Sequence, residues 1–250
     1  MASLVQPAAS PMSGMIRFIR YGFMPNRLKY CGGDENRLLF DHAVEQQVDG
    51  GLTGALRKFT GALPYLQLIA RQNGIADAFD PRVVDAYWIG NDLLDRVEVR
   101  QLYDSLLERF GRQLSVKARD VVLGKAPAGA RPHHSFHVLD VHSRVGELGH
   151  NLQTMDHCRV SWGRVVRVEL GELVVDRTPL SLVDGKLTLG GAMRDRVVRQ
   201  LDGRGFVDAA GVGDWVSIHW GWACEVLDAD QLARLTKYTA HHLEIANQTL

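Results

Sequence analysis

The sequence predicts an α+β protein, a helical domain followed by a small antiparallel β-barrel closed by one last helix. Three observations carry this. Before residue 112, apolar residues recur at steps of three and four; from Cys158 onward the period falls to two. The composition, 46% hydrophobic and 23% charged, is that of an ordinary folded chain.

Residues 1–14 lack the charged start and apolar run of a secretory leader and read as a disordered or tag-like end. Residues 15–123 form the helical domain. Within it, residues 20–39 contain the turn signals Pro25-Asn26 and Gly32-Gly33 around Cys31, and read as an irregular lead-in to the first helix. That helix covers 37–48 and ends at Gly50-Gly51. Leu52, Ala55, Leu56, Phe59, Leu63, Leu66, Ile69 and Ala70 extend the amphipathic pattern. Pro64 either kinks this stretch or opens a second helix at its first turn, and Gly74 is a stop. Asp80-Pro81 sets a capping side chain before a first-turn proline. The pattern then passes Val84, Tyr87, Trp88 and Leu94, breaks near Arg96–Glu98, and runs on through Leu106, Leu107 and Phe110 to stop at Gly111.

Residues 124–157 are a linker. Its first part, 124–132, is a Gly/Ala/Pro-rich loop; a short strand is expected near 136–142. Six of the ten histidines fall between 133 and 157. Along a strand, His134 and His142 would lie about 26 Å apart at ~3.3 Å per residue, with His137 on the opposite face. The cluster is therefore expected not to form a tight metal site. Cys31, His134, His137 and His142 make a second candidate site only if the chain folds back on itself.

Residues 158–250 form the barrel domain. Asp184-Gly185 marks a hairpin. Along 214–220, alternation turns Val216 and Ile218 to the core and Trp215, Ser217 and His219 outward. Cys224, followed by Val226 and Leu227, reads as core filler, and His241-His242 as solvated. Asp228 and Gln231 begin a capping box for the closing helix near 229–247.

Several classes are disfavoured. The 29 basic and 29 acidic residues cancel, so bulk charge gives no affinity for nucleic acid. No apolar run is long enough to cross a membrane. Three scattered cysteines suit no disulfide framework, and a reduced, cytoplasmic protein is expected. The phosphate-loop, dinucleotide, zincin and nucleophile-elbow motifs do not occur, so a catalyst has no positive support.

Two blocks stand out. The first is Cys158-Arg-Val-Ser-Trp-Gly-Arg-Val; the second is Val212-Gly-Asp-Trp-Val-Ser-Ile-His-Trp-Gly-Trp-Ala223, followed by Leu227-Asp228 and a helix. Residues 155–250 resemble the HypC/HybG (HupF) family of [NiFe]-hydrogenase maturation chaperones. Cys158, Gly163, Arg164 and Val165 match that family's opening. Val212, Gly213, Asp214, Trp215, Val216, His219, Gly221, Trp222 and Ala223 match its later motif. The resemblance implies an OB-like barrel and a non-catalytic role. In that role a Cys158 thiolate, with His219 in support, handles iron carrying cyanide and carbon monoxide, and no stable cofactor is held. It implies a hydrogenase large-subunit precursor and a HypD-like scaffold protein as partners, met through Trp162, Gly163, Asp214, Trp215, Trp220, Gly221 and Trp222. His157, beside Cys158, could assist the thiolate. Two departures stand: the family's cysteine follows the initiator Met whereas Cys158 is internal, and Trp162 replaces the family's proline. A metal-handling thiol is expected to be accessible and readily deprotonated. A metal-dependent enzyme using the His-rich linker, and an OB-type binding module without metal, remain alternatives.

Overall fold

The computed structural model describes residues 12–112, 116, 120, 128–142 and 151–250. The chain is mixed α/β, with helices first and a five-stranded C-terminal sheet. Helix α1 (Gly14–Arg27) starts inside the segment read as a lead-in, and carries Pro25 in its last turn. Met12 packs on the core, so the expected disordered end does not reach it; residues 1–11 lie outside the described chain. Helix α2 (Asn36–Glu45) stops at Gln46, and Gly50-Gly51 open α3 (Gly50–Leu56) rather than ending α2, because Asp49 accepts hydrogen bonds from the Gly51 and Leu52 amides.

Pro64 sits in the first turn of α4 (Leu63–Gln72), and Asp80 caps α5 (Pro81–Trp88) through the Arg82 amide. A 3₁₀ turn (Asp92–Arg96) covers the expected break before α6 (Val99–Phe110). The strand expected near 136–142 is instead a helical turn, α7 (His134–Phe136), running on as a π-type turn (His137–Val141). Every residue from His134 to Val141 is buried, so the apolar run that suggested a strand is a buried helical segment; periodicity alone does not separate the two. Helix α8 (Leu152–Cys158) then leads into the sheet.

The strands are β1 (Ser161–Val168), β2 (Glu172–Arg177), β3 (Leu180–Val183), β4 (Lys186–Leu189), β5 (Met193–Val198), β6 (Gln200–Leu201), β7 (Arg204–Gly205), β8 (Trp215–His219) and β9 (Trp222–Leu227). β3 and β4 form the Asp184-Gly185 hairpin, both turn residues at positive φ. The main sheet runs β1-β2-β5-β9-β8 and β8 pairs back to β1; β5 meets β9 through one parallel pair, Val198↔Trp222. Its interior holds Val165, Leu173, Val175, Val197, Val216 and Ile218. Gly163 lies on this inner face, where a Cβ would come within 2.9 Å of Val175. The chain ends on α9 (Ala229–Ala246), opened by a complete Asp228–Gln231 capping box.

Besides the sheet's own interior cluster, the two halves share a core. One continuous apolar cluster joins Phe18, Tyr21, Phe23 and Trp88 of the helices to Trp222, Cys224 and Leu227 of β9 and Leu235 of α9. A polar clamp crosses the same boundary: buried Glu225 accepts from Arg17 and from the Tyr21 hydroxyl (2.9 Å), and Arg17 also pairs with Asp85. No described helix is long and apolar enough to cross a membrane.

Candidate metal centre

Cys158 ends α8, and the strand that follows is anchored by charge. Buried Arg159 pairs with Asp156 and donates to the Thr178 carbonyl, while Asp156 also holds Arg177 (2.8 Å) and the Leu180 amide. This fixes the turn after Cys158 against β2 and β3. On the far side, β8 ends at His219 and turns into β9 through Trp220-Gly221. Both turn residues have positive φ, which fits a two-residue hairpin loop.

His219 does not face solvent. Val216 and Ile218 do point into the sheet interior, but the opposite face of β8 is covered by α1 and α5. His219 is 2% exposed and packs on Trp88 and His134, with ring centroids 5.5 and 5.0 Å away. Its Nδ1 lies 2.7 Å from the Tyr21 carbonyl oxygen, so Nδ1–H donates there and Nε2 keeps its lone pair. That Nε2 is buried and has no hydrogen-bond partner among the described residues. An imidazole held at one nitrogen by a carbonyl, with the other bare, is the usual arrangement of a metal-ligating histidine.

His134, Cys158 and His219 converge, with one candidate ligand atom from each lying within 4.8 Å of the others. His134 Nε2 donates to the Cys158 carbonyl (2.8 Å), and the Tyr87 hydroxyl occupies Nδ1 (3.1 Å), so His134 must release one bond to ligate. Burial lowers the His219 pKa to about 4 and pushes His134 well below the ordinary value, so both rings are neutral, as ligands must be. Burial also pushes the Cys158 thiol up to about 12, with the Trp220 indole opposing. The expectation of an accessible, easily ionised thiol is therefore overturned: without a cation the sulfur stays protonated. A bound metal displaces that proton, and two imidazoles with one thiolate suit a transition metal rather than calcium or magnesium.

A cavity of about 520 Å³ opens in front of this group. Its wall includes Cys31, His137 and His142 as well as His134, Cys158 and His219. The two sites read separately from the sequence are therefore one place. The strand geometry that set these histidines apart does not hold, because their segment is helical and brings His134 and His137 to the same wall; of the clustered histidines, His134 is the one in the converging group. His137 Nδ1 meets the Tyr65 hydroxyl (3.0 Å), and its ring lies 4.2 Å from that of His142. Cys31 is half-buried on the loop after α1.

The remaining residues divide. Trp220 lines the cavity, stacked between Tyr30 (4.0 Å) and His157 (6.1 Å), so His157 touches the rim and is not among the converging ligand atoms. Trp162 and Trp215 are half-buried against the core, and the Asp214 carboxylate accepts from the Gly211 amide. Trp222 is fully buried among Phe23, Phe40 and Phe206 and offers nothing to a partner, which corrects its place in the partner loop. His242 is also fully buried, not solvated, and with His133 it brackets Ser135 (2.7 Å each). Tyr21, Tyr65, Tyr87, Trp88 and Arg109 orient or wall the site. The aromatics escaped the sequence reading because such residues among apolar neighbours read as core, and Arg109 because it belongs to no motif.

Fold and site together define a mixed α/β protein with a partly open thiol–imidazole pocket between its helical and sheet halves. The chain belongs to the family of unknown function DUF6390, whose profile matches residues 10–250 and so spans both halves. No curated protein and no solved structure matches it.

Proposed function

We propose that this protein is an accessory metal-handling protein that takes up iron at His134, Cys158 and His219. In this reading it serves [NiFe]-hydrogenase maturation in the cytoplasm as a HypC-like chaperone, with the cyanide- and carbonyl-bearing iron unit as its cargo. The observation that carries it is the convergence of these three side chains around the bare Nε2 of His219. The order of the motifs supports the pathway, since Cys158 and His219 sit where the chaperone family has its cysteine and histidine. The strand order β1-β2-β5-β9-β8, returning to β1, supports an OB-like barrel. The partners of this reading are the hydrogenase large-subunit precursor and a HypD-like scaffold. The buried thiol differs from the family's terminal one. Here the helical half forms a roof over the cargo, and Tyr30 and Trp220 mark its rim. A metal-free binding module leaves the bare Nε2 without a purpose.

The test is anaerobic reconstitution of the untagged protein with ferrous iron, followed by metal analysis and by hydrogenase maturation in cells lacking the native copy. One iron per chain, lost in Cys158→Ser and His219→Gln together with maturation, is expected. Normal maturation with Cys158→Ser would sink the chaperone reading.

A further inference from the structure

A second cavity, of about 440 Å³, shares no wall residue with the first. It lies where α1, the start of α5 and β9 meet the loop 206–209 and the opening turn of α9. Small-molecule sites usually span ~300–1,000 Å³. Most of this wall is apolar, with Met12, Pro81, Phe206 and Val226 among it. Two arginines of α1, Arg17 and Arg20, stand in it one turn apart.

The two arginines are not alike. Arg17 is saturated: Glu225 accepts from its Nε and one terminal nitrogen, and Asp85 takes the other (2.8 Å). Burial works against its charge, yet Glu225, Tyr21 and Asp85 outweigh it and its pKa rises. For Arg20 burial prevails and the pKa falls, although a guanidinium still carries its charge at neutral pH. Among the described residues no hydrogen bond or ion pair reaches Arg20. Its Nε is sealed from solvent without a partner, while its terminal nitrogens keep their access to the cavity. Residues 1–11 lead into Met12 at this wall and contain no Asp or Glu, so that stretch has no carboxylate side chain to give.

Arg20 is therefore a half-buried, charged fork facing an apolar space. Such a fork matches the two oxygens of a carboxylate. Glu225 and Asp208 share the wall; Glu225 already holds Arg17, and Asp208 accepts from the Gln200 amide (2.7 Å). Their charges admit one further negative charge beside Arg20 and disfavour two. Gln231, whose oxygen accepts from the Asp228 amide, keeps its NH2 group as a second donor at the wall.

We infer that this cavity binds a monocarboxylate with a small apolar body, its carboxylate on the Arg20 fork and its body against Pro81, Phe206 and Val226. The site is independent of the metal centre.

The test uses the full metal-free chain at low salt, with benzoate and isovalerate as probes and their amides, benzamide and isovaleramide, as uncharged counterparts. Calorimetric titration and the thermal midpoint read binding, because a ligand held only by the folded state raises that midpoint. At least one carboxylate should bind saturably, and its amide roughly ten-fold or more weakly, the cost of one charged hydrogen bond. Arg20→Gln should lower carboxylate affinity by the same factor. Val226→Glu, at an exposed position, sets a carboxylate of the chain itself beside Arg20 and should abolish binding with the urea midpoint unlowered, which guards against a folding defect in the first variant. The inference is overturned if neither carboxylate binds, if an amide binds as well as its acid, or if either variant binds like the wild type. Inorganic phosphate that displaces the carboxylate at equal concentration would overturn the ligand class.

Discussion

Nδ1 of His219 lies 2.7 Å from the main-chain oxygen of Tyr21, so a residue of α1 sets the orientation of an imidazole carried by the sheet. The helical half is thereby part of the candidate metal centre even where it supplies no ligand. A prediction follows for the ligands themselves. His219→Gln removes the one nitrogen already bare and should lower cobalt(II) affinity about 10- to 100-fold or more, the range seen even for losing a ligand's supporting partner. His134→Gln should cost less, since His134 must first give up a hydrogen bond to ligate. Competition titrations with a chromophoric chelator measure both; equal losses would show that His134 is as ready as His219.

The clamp between the halves predicts a stability effect without a metal effect. Glu225→Ala leaves Arg17 with Asp85 alone of its two carboxylates, and removes one of the two partners of the Tyr21 hydroxyl, which keeps Ser217. Breaking a buried pair from one side costs roughly 3–5 kcal/mol. Tyr21→Phe should cost about 1 kcal/mol, because it deletes one hydroxyl and leaves the ion pair intact. Urea unfolding of the metal-free protein tests both, and similar midpoints for Glu225→Ala and wild type would contradict the clamp.

Much of the fold was legible because its signals are local. The Asp184-Gly185 hairpin, the Asp80-Pro81 start and the Asp228 capping box each depend on neighbours a few residues apart. The site was legible only as an inventory. Cys158, His219, Cys31, His134, His137 and His142 were all singled out, yet as two sites, because nothing local says that 134–141 is helical or that β8 turns His219 under α1. The packing of the two halves against each other was not legible for the same reason. Period changes mark where secondary structure changes, whereas the core that joins Phe23 to Trp222 is a long-range fact. A fragment covering 155–250 should accordingly lack a cooperative thermal transition, since it exposes Trp222, Cys224 and the polar face of Ser217 and Glu225. A sharp transition with native near-UV tryptophan signals would restore an independent barrel.

Acid should destabilise the protein through His242. Burial holds its pKa well below the ordinary 6.5, and it faces His133, His241, Arg131 and Ser135. In the unfolded chain the same ring takes a proton below about pH 6.5. The unfolded state thus binds more protons, and stability falls as pH drops from there toward the depressed folded value. His242→Gln should remove up to ~1.4 kcal/mol per pH unit from the slope of unfolding free energy below pH 6. An unchanged slope in metal-free protein would show that His242 is not a source of that dependence.

The last prediction separates the two buried thiols. Cys158 and Cys224 are both buried, and burial raises the pKa of each. Only Cys158 has imidazoles converging on it; the Cys224 sulfur meets the Trp222 carbonyl at 3.4 Å and sits within the apolar core. Serine in place of Cys158 faces a cavity that can admit water, so the fold should survive with little loss while metal affinity collapses, because a neutral hydroxyl cannot replace a thiolate on a soft ion. Serine in place of Cys224 puts a more polar group into that core. Its shorter side chain reaches the Trp222 carbonyl less well, and about 1–3 kcal/mol of stability should be lost while metal binding persists. Parallel urea unfolding and cobalt titration of the two variants read both axes at once. If Cys224→Ser lost the metal and Cys158→Ser kept it, the centre would have to be rebuilt around the other thiol.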